Sequence, residues 1–233
     1  MKVLIASDIH ANLPAAKELQ DKFEYDYGIF LGDIVDYGTR PVEVIDIIRS
    51  SFDVVIRGNH DNAVALGVDC SCSNENHDLS VYTRTFLTEK IVGKEEKNYL
   101  KGLPIDINLN LDGHSIHVSH AAPDDPLFGY LYPWDLSREV FDRFSEIEGD
   151  IFLSGHTHYP VYSQYRGRLF LNPGSSGQPR DKDSRPSVII WETESDRITF
   201  ERFDYDRDTL RSDLKENYRD NAMLERLIKL FRV

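Results

Sequence analysis

The sequence has no hydrophobic run long enough to cross a lipid bilayer, and its apolar N-terminal stretch, Val3 to Ala6, is too short for the core of a signal peptide. We therefore expect a cytoplasmic protein without a membrane partner. Cysteine is scarce as well, because the chain has only Cys70 and Cys72, two positions apart in a Ser/Asn-rich stretch. That spacing suits neither a structural disulfide nor, by itself, a tetrahedral zinc site, and it predicts two ordinary reduced thiols.

Positive charge is also in short supply. The chain has 27 Lys and Arg residues against 40 Asp and Glu residues, which gives a formal net charge of -13, and no basic cluster interrupts this balance. A long nucleic acid is a poor partner for such a surface, because nucleic acids are bound largely through basic side chains that neutralise their phosphates. A small phosphorylated substrate is compatible with it, since metal ions and one or two arginines can meet its charge locally.

The length of 233 residues and the hydrophobic content of 40% fit a single domain over residues 1–233. The first third alternates short apolar runs with helical patterns, and this βαβ rhythm predicts a parallel sheet. The predicted elements of this part are Val3 to Ala6, Leu13 to Phe23, Gly28 to Leu31, a helix from Pro41, and Val54 to Ile56. A polar, irregular segment over residues 62–103 follows, and we interpret it as a partly helical insert.

The remainder of the chain is mostly β in pattern. Strict alternation from Ile105 to Leu111, followed by Asp112-Gly113, predicts a hairpin with a type I′ turn. Apolar residues at helical spacing after Asp206 predict a closing helix that is broken near Asp220-Asn221. Apolar runs predict further strands at Ile151 to Leu153, Val161 to Tyr165, Arg168 to Leu171, Val188 to Trp191 and Ile198 to Phe203.

Metal-binding residue types stand where predicted strands end. In chain order they are Asp8, His10, Asp33, Asn59, His60, His120, His156 and His158. In open α/β sheets this edge is where ligands bind. Carboxylate, imidazole and amide oxygen together suit manganese, iron, nickel or zinc better than magnesium or calcium, and the number of ligands fits two ions better than one. Two ions about 3.5 to 4 Å apart would convert a shared water to hydroxide near neutral pH and hold phosphate oxygens for in-line displacement.

Each of these residues also has an ordinary structural explanation. A single strand-end aspartate usually caps a turn, a single histidine usually forms hydrogen bonds in the core or at the surface, and Gly-Asn-His can be merely a turn. Capping and turn formation do not by themselves place so many of these residues in order at one edge of a sheet. We therefore favour a metal site.

Five short motifs carry a resemblance to a known family. They are D-I-H from Asp8, G-D from Gly32, G-N-H-D from Gly58, S-H-A from Ser119 and G-H-T-H from Gly155. With these motifs the chain resembles the calcineurin-like metallophosphoesterases, and N-P-G-S-S-G-Q-P-R over Asn172 to Arg180 resembles a further signature of their small prokaryotic branch. The resemblance implies a four-layer αββα sandwich and a metal-dependent phosphodiesterase or phosphatase.

The resemblance also implies which residues hold two divalent transition-metal ions, with manganese favoured over iron, nickel and zinc. The first ion would be held by Asp8, His10 and His158. The second would be held by Asn59, His120 and His156. Asp33 would bridge the two. Asp8 and His10 are two positions apart, and so are His156 and His158. This i, i+2 spacing would let both side chains of each pair face one way from an extended backbone.

Two further roles follow for residues beside the ligands. His60 follows a metal ligand directly, so it would stand near the substrate and protonate the leaving-group oxygen. Similarity to the G-D-x-V-D segment of serine/threonine phosphatases makes Asp36 its orienting partner. Those phosphatases continue with an arginine that grips phosphate, whereas this chain has Tyr37. Arg180 is the alternative phosphate contact.

Because the phosphate-binding arginine is missing, we expect the substrate to be a small molecule. This absence disfavours a protein phosphatase and a close match to the symmetric dinucleoside tetraphosphate hydrolases, which carry that arginine. We expect a small, nucleotide-like phosphodiester or phosphate ester, with dinucleoside polyphosphates, phosphomonoesters and phosphoproteins as the alternatives. The complete ligand set disfavours a non-enzymatic scaffold, the role of a retromer subunit with this fold, and the acidic composition disfavours a nuclease.

Overall fold

The computed structural model describes residues 1–233 and contains ten strands and nine α-helices. The strands are β1 Lys2–Ala6, β2 Tyr27–Phe30, β3 Val54–Val55, β4 Asp106–Leu111, β5 His114–Ser119, β6 Ile151–Leu153, β7 Pro160–Tyr165, β8 Arg168–Pro173, β9 Ser187–Glu192 and β10 Arg197–Arg202. The helices are α1 Leu13–Lys22, α2 Pro41–Ser51, α3 Asn59–Leu66, α4 His77–Thr83, α5 Glu89–Ile91, α6 Lys94–Gly102, α7 Arg138–Arg143, α8 Arg207–Asn217 and α9 Asn221–Phe231. A π-helical turn over Arg84–Thr88 joins α4 to α5. No helix combines the length and apolar composition that a membrane crossing requires.

The strands form two five-stranded sheets. The first has the order β10-β9-β1-β2-β3, in which β1, β2 and β3 are parallel while β9 and β10 run antiparallel to their neighbours. The second has the order β4-β5-β6-β8-β7, with a parallel centre of β5, β6 and β8 and an antiparallel strand at each edge. The parallel pairing predicted for the N-terminal strands is therefore present, and two C-terminal strands extend that sheet by antiparallel pairing.

Alternate residues of β1 show how the layers are built. Val3 and Ile5 belong to an apolar core that also contains residues of the second sheet, so this core lies between the sheets. Leu4 and Ala6 point to the other face and pack in the core formed with the helices. Burial of both faces explains the continuous apolar run of this strand, since each fully buried Leu or Ile contributes about 1.5–3 kcal/mol. A third core, between the second sheet and α7, completes the predicted αββα sandwich.

Local sequence signals account for several elements. Asp112 and Gly113 adopt φ values of 49° and 88°, which is the double left-handed conformation of the predicted type I′ turn. The closing helix is divided as predicted, because Asp220 begins a new helix by accepting a hydrogen bond from the Met223 N–H at 3.0 Å. Helix α7, only six residues long, was not predicted from the sequence. Residues 62–103 contain most of α3 and all of α4 to α6.

Candidate metal centre

The predicted metal ligands converge at one end of the two sheets. The loops that follow β1, β2, β5 and β6, together with the first residue of α3, supply them. None is more than 4% exposed: Asp8, His10, Asp33, Asn59, His120, His156 and His158. Because both sheets contribute ligands, the apolar core between the sheets fixes the two halves of the site relative to each other.

The first group of donor atoms comes from the loops after β1 and β6. His158 Nε2 lies 3.4 Å from Asp8 Oδ1 and 3.3 Å from His10 Nε2. Both histidines direct Nδ1 at main-chain carbonyls, His10 to Val35 O at 3.0 Å and His158 to Gln178 O at 2.6 Å. These carbonyls place the proton on Nδ1 and leave the Nε2 lone pair free for a metal ion.

The second group lies beside the first. His120 Nε2 is 3.1 Å from Asn59 Oδ1, and its Nδ1 is 2.7 Å from Leu31 O, which orients the ring in the same way. Donor atoms of Asp33, His120 and His156 all lie within 4.8 Å of one another. The structure therefore brings together the three ligands expected for a second ion.

Asp33 stands between the two groups. Its Oδ2 is 3.4 Å from His120 Nε2 and 3.8 Å from His10 Nε2. Its other oxygen, Oδ1, accepts a hydrogen bond from the His60 N–H at 2.9 Å, which fixes the orientation of the carboxylate. One oxygen is thus within reach of both groups, as a bridging ligand requires.

The backbone at five of the seven candidate ligands is left-handed, so the extended conformation expected from the i, i+2 spacing is wrong. Asp8 and His10 have φ values of 56° and 49°, and His156 and His158 have values of 65° and 63°. Asp33, at 59°, shares this conformation. Such residues are held in a strained region at a cost of order 1–3 kcal/mol each, which concentrates at functional sites.

Asp61 is the buried carboxylate that holds the strained loop after β2, a role that no pattern in the sequence indicates. Its Oδ1 accepts hydrogen bonds from the N–H groups of Ile34 and Val35 at 2.9 and 3.2 Å. Its Oδ2 accepts from Asp33 N–H at 2.9 Å and Gly58 N–H at 3.0 Å. One side chain therefore joins the loop that carries Asp33 to the turn that begins α3.

We expect the Asp61→Ala variant to be less stable by about 3 kcal/mol or more. Four buried N–H groups would lose their acceptor, and each unsatisfied group costs about 1–3 kcal/mol. The free energy of unfolding would be measured by urea denaturation. Asp46→Ala is the control, because this exposed carboxylate forms only a surface pair with Arg49. Equal stability of the two variants would contradict the role given to Asp61.

The electrostatics of three of the four histidine donors, His10, His156 and His158, suit divalent cations. Burial raises the pKa of Asp8 to about 7 and lowers the pKa of His10 to about 3. Burial also holds the pKa values of His156 and His158 well below the usual range, so these rings are neutral and keep a lone pair. Asp8 Oδ1 and His156 Nε2 are buried without a hydrogen-bond partner. Such orphaned atoms are costly unless a ligand satisfies them, and a metal ion would do so.

The segment from Asn172 to Arg180 braces the site from behind. The Ser175 hydroxyl donates to the Asp8 carbonyl at 2.7 Å. The Asn172 side-chain amide donates to the Gly155 carbonyl at 2.6 Å, next to the start of the histidine loop after β6. This segment therefore links the two loops that supply the first group of ligands.

His60 lies next to the ligands with its ring held by a carboxylate. Its Nδ1 is 3.0 Å from Asp36 Oδ2, and that oxygen also accepts a hydrogen bond from Arg84 Nη1 at 3.2 Å. Burial by itself lowers the pKa of His60, but the Asp33 carboxylate and the hydrogen bond to Asp36 outweigh it and raise the pKa to about 9. Arg84 comes from the insert, and no motif in the sequence marks it as part of the site.

Both cysteines lie beside His60 as free thiols. Their Sγ atoms are 2.9 Å apart, and donor atoms of Cys70, Cys72 and His60 lie within 4.8 Å of one another. The Cys70 carbonyl accepts a hydrogen bond from Asn59 Nδ2 at 2.8 Å, which turns the amide oxygen of Asn59 towards His120. No disulfide joins the two cysteines, which belong to the surroundings of the site.

A narrow cavity opens over the two groups of ligands. Arg180 lines it together with Asp33 and His60, and its Nε is buried without a hydrogen-bond partner. Tyr37 and Tyr130 form other parts of the wall. The structure thus places the Arg180 side chain in the wall of the cavity over the candidate metal ligands.

A row of stacked aromatic rings leads from the ligands to the surface, and we call it the aromatic ladder: Tyr130, Tyr132, Trp134 and Tyr159. The Tyr130 ring lies 4.2 Å from the His156 ring, and its centroid is 5.6 Å from that of Tyr132. Tyr132 stacks on Trp134 at 4.8 Å with an interplanar angle of 7°. Trp134, which is 67% exposed, also meets Tyr159 edge-on at 5.3 Å.

Comparisons with known proteins agree on one family. The model of the calcineurin-like phosphoesterase superfamily domain matches residues 1–196. An uncharacterized protein of Methanocaldococcus jannaschii is 31% identical over 224 residues, which cover 88% of each chain. The crystal structure of a metallophosphoesterase from Sphaerobacter thermophilus, 29% identical, covers 99% of this chain and 100% of its own with a TM-score of 0.80. A hypothetical protein from Pyrococcus horikoshii, 20% identical, shares the fold with a TM-score of 0.78 and covers 97% of both chains.

Proposed function

Because this chain belongs to the calcineurin-like phosphoesterase superfamily, we propose that it hydrolyses a small, nucleotide-like phosphoester at two divalent metal ions. The family membership makes the chain a metal-dependent phosphoester hydrolase. The observation that carries the two-metal proposal is the position of Asp33 Oδ2 between two groups of buried donors, 3.8 Å from His10 and 3.4 Å from His120. Manganese is the first choice for reconstitution, and iron, nickel and zinc also suit these ligands.

Different residues of the chain would bind the metal ions, donate a proton and bind the phosphate. Asp8, His10 and His158 would hold one ion, and Asn59, His120 and His156 the other, with Asp33 shared. When bound, such ions supply a nucleophile from water near neutral pH and offset the negative charge of the phosphate. His60 holds a proton near the cavity, and Asp36 keeps its ring oriented through Nδ1 so that Nε2 can donate to the leaving oxygen. Arg180 would bind a phosphate oxygen.

The nucleotide-like part of the proposal rests on the aromatic ladder. Aromatic side chains provide stacking surfaces for bases, and this row begins against the metal ligand His156 and ends at the exposed Trp134. A ligand whose phosphate lies at the metals can therefore extend its base along the ladder. The excess of acidic residues does not oppose a small ligand of this kind, whereas it does oppose a long nucleic acid.

The test is a substrate panel on protein reconstituted with manganese. The panel compares p-nitrophenyl phosphate, bis-p-nitrophenyl phosphate, 2′,3′- and 3′,5′-cyclic nucleotides, dinucleoside polyphosphates and a phosphopeptide. Inductively coupled plasma mass spectrometry measures the number of metal ions bound per chain. We expect two ions per chain and the highest kcat/KM for a nucleotide. Binding of metal without hydrolysis of any compound would overturn the proposal and favour a scaffold.

We expect Trp134→Ala to weaken the binding of adenosine 5′-monophosphate by about 5- to 150-fold, since base stacking contributes about 1–3 kcal/mol. Calorimetric titration in a His60→Ala background, in which turnover is slow, measures the affinity. Ribose 5-phosphate, which lacks the base, should bind the two proteins equally. Tyr162→Ala is the matched control, because Tyr162 is 56% exposed and lies outside the ladder. If Trp134→Ala lowered the affinity for both ligands equally, stacking of the base on Trp134 would be contradicted.

A further inference from the structure

A second pocket, of about 370 Å³, adjoins the metal cavity. Helix α9, the chain around Pro179 and the insert line it, and Arg180 and Asn76 line both the pocket and the cavity over the metal ligands. Its volume lies in the range of small-ligand sites. A ligand bound at the metal centre can therefore extend into this pocket past Arg180.

The pocket is positively charged, although the chain has a net charge of -13. Glu75 is the one acidic residue in its lining, against four basic residues: Arg180, Arg226, Lys229 and Arg232. Arg226 and Lys229 lie on α9 and Arg232 directly follows it, so we call this the α9 pocket. Focusing of positive charge in a concave site raises the local concentration of anions even when the rest of the surface is acidic.

The partners of these cations leave much of the charge available. Arg226 pairs with Asp78 at 2.6 Å, while Arg232 donates only to main-chain carbonyls, which do not cancel its charge. Arg180 and Lys229 take part in no salt bridge. Asp181, the carboxylate next to Arg180 in the chain, pairs with Arg202 instead. A cation in the last turn of a helix also interacts with the helix dipole, which accounts for Lys229 alone but not for its convergence with Arg180.

We propose that the α9 pocket binds a second phosphate group of the substrate, so that the chain acts on a phosphoester that carries a further phosphate. The inference rests on the proposed function at the metal centre. Tyr159 lines the pocket and also closes the aromatic ladder against Trp134 at 5.3 Å, so the stacking surface and the cationic pocket meet. A nucleoside bisphosphate combines the three groups that these surfaces select: an ester phosphate, a base and a second phosphate.

The test compares adenosine 3′,5′-bisphosphate with adenosine 5′-monophosphate on manganese-loaded protein. Calorimetric titration in the His60→Ala background should show about tenfold tighter binding of the bisphosphate, and Lys229→Gln should remove most of that preference. The ratio of the two kcat/KM values in the active protein should fall in parallel. Lys215→Gln, which changes an exposed lysine on α8, should leave the preference as it is.

The two readouts separate failure of the pocket from failure of the enzyme assignment. A preference in binding that depends on Lys229, without hydrolysis of any substrate, would retain the pocket and overturn the proposed function. Hydrolysis with equal affinity for both nucleotides, or a preference that survives Lys229→Gln and the double variant Lys229→Gln/Arg232→Gln, would overturn the pocket and retain the proposed function.

Discussion

Replacing His60 by alanine is expected to lower kcat by about 10²- to 10⁴-fold while the number of bound metal ions stays the same, because general acid catalysis contributes that factor. The imidazole is held by Asp36 at 3.0 Å and lines the cavity, yet the ligand donors belong to other residues. The loss should depend on the leaving group. An ester with the acidic leaving group p-nitrophenol needs little protonation and should lose less activity than an alkyl ester.

The matched control is His77→Ala. His77 is an exposed histidine of the insert that pairs with Asp69, and it lines neither pocket described above. Its variant should keep the activity and metal content of the unchanged protein. A His60→Ala protein that loses its metal as well would make His60 a structural support of the site, and one with unchanged turnover would remove it from the mechanism.

The Asp33→Asn substitution is expected to lower metal content from two ions to at most one per chain and kcat/KM by at least about 10³-fold. The amide keeps the size of the side chain and can still accept the hydrogen bond of the His60 N–H through one oxygen. It has no charged second oxygen to share between the two groups of donors. Loss of several kcal/mol of charge stabilisation in the transition state corresponds to this decrease in rate.

Asp213→Asn provides the comparison for this change. Asp213 is also a largely buried carboxylate, with a side chain 14% exposed, but it pairs with Arg40 on another part of the surface. Its variant should bind two ions and keep its activity. Metal analysis that gave two tightly held ions in Asp33→Asn would show that the two groups do not share this residue, and the two-metal arrangement would need a different bridge.

The convergence of the candidate ligands at one edge of the sheets could be predicted, because the apolar runs in the sequence show where the strands end. Apolar runs such as Val3 to Ala6 are buried on both faces, so their ends are sharp, and the polar residue types that follow them stand out. Parallel strands bring such ends to one edge. The resemblance in the motifs grouped the candidate ligands, and the structure brings together the donor atoms of two sets of them: Asp8, His10 and His158, and Asp33, His120 and His156.

The conformation of the ligand loops could not be predicted in this way. The φ value of 56° at Asp8 is imposed by distant partners, among them the Gly32 carbonyl and the Ser175 hydroxyl, and no local signal encodes it. Asp61 belongs to the G-N-H-D motif, but the motif does not show its role, because three of its four hydrogen bonds cross to the loop after β2. Arg84 lies in a segment without a recognisable pattern.

The aromatic ladder and the α9 pocket could not be predicted from the sequence for a different reason. The rings at Tyr130, Tyr132 and Trp134 alternate along the chain, which is a visible signal, but nothing in the sequence says which neighbour they face. The basic residues of α9 are spread among acidic and apolar ones, and only the fold brings them beside Arg180. Convergence of residues far apart in the chain is a property of tertiary structure, and composition does not reveal it.

Helix α9 lies beyond the segment that matches the family model, since it begins at Asn221 and the match ends at residue 196. Leu227 and Phe231 anchor it in the core, whereas Lys229 is exposed and free to vary without loss of folding. A substitution at such an exposed position leaves the packing of the ligand loops unchanged. If the α9 pocket binds part of the substrate as proposed, exchange of a few exposed residues of this helix would change the preferred compound, while the candidate ligand loops and the class of reaction stay the same.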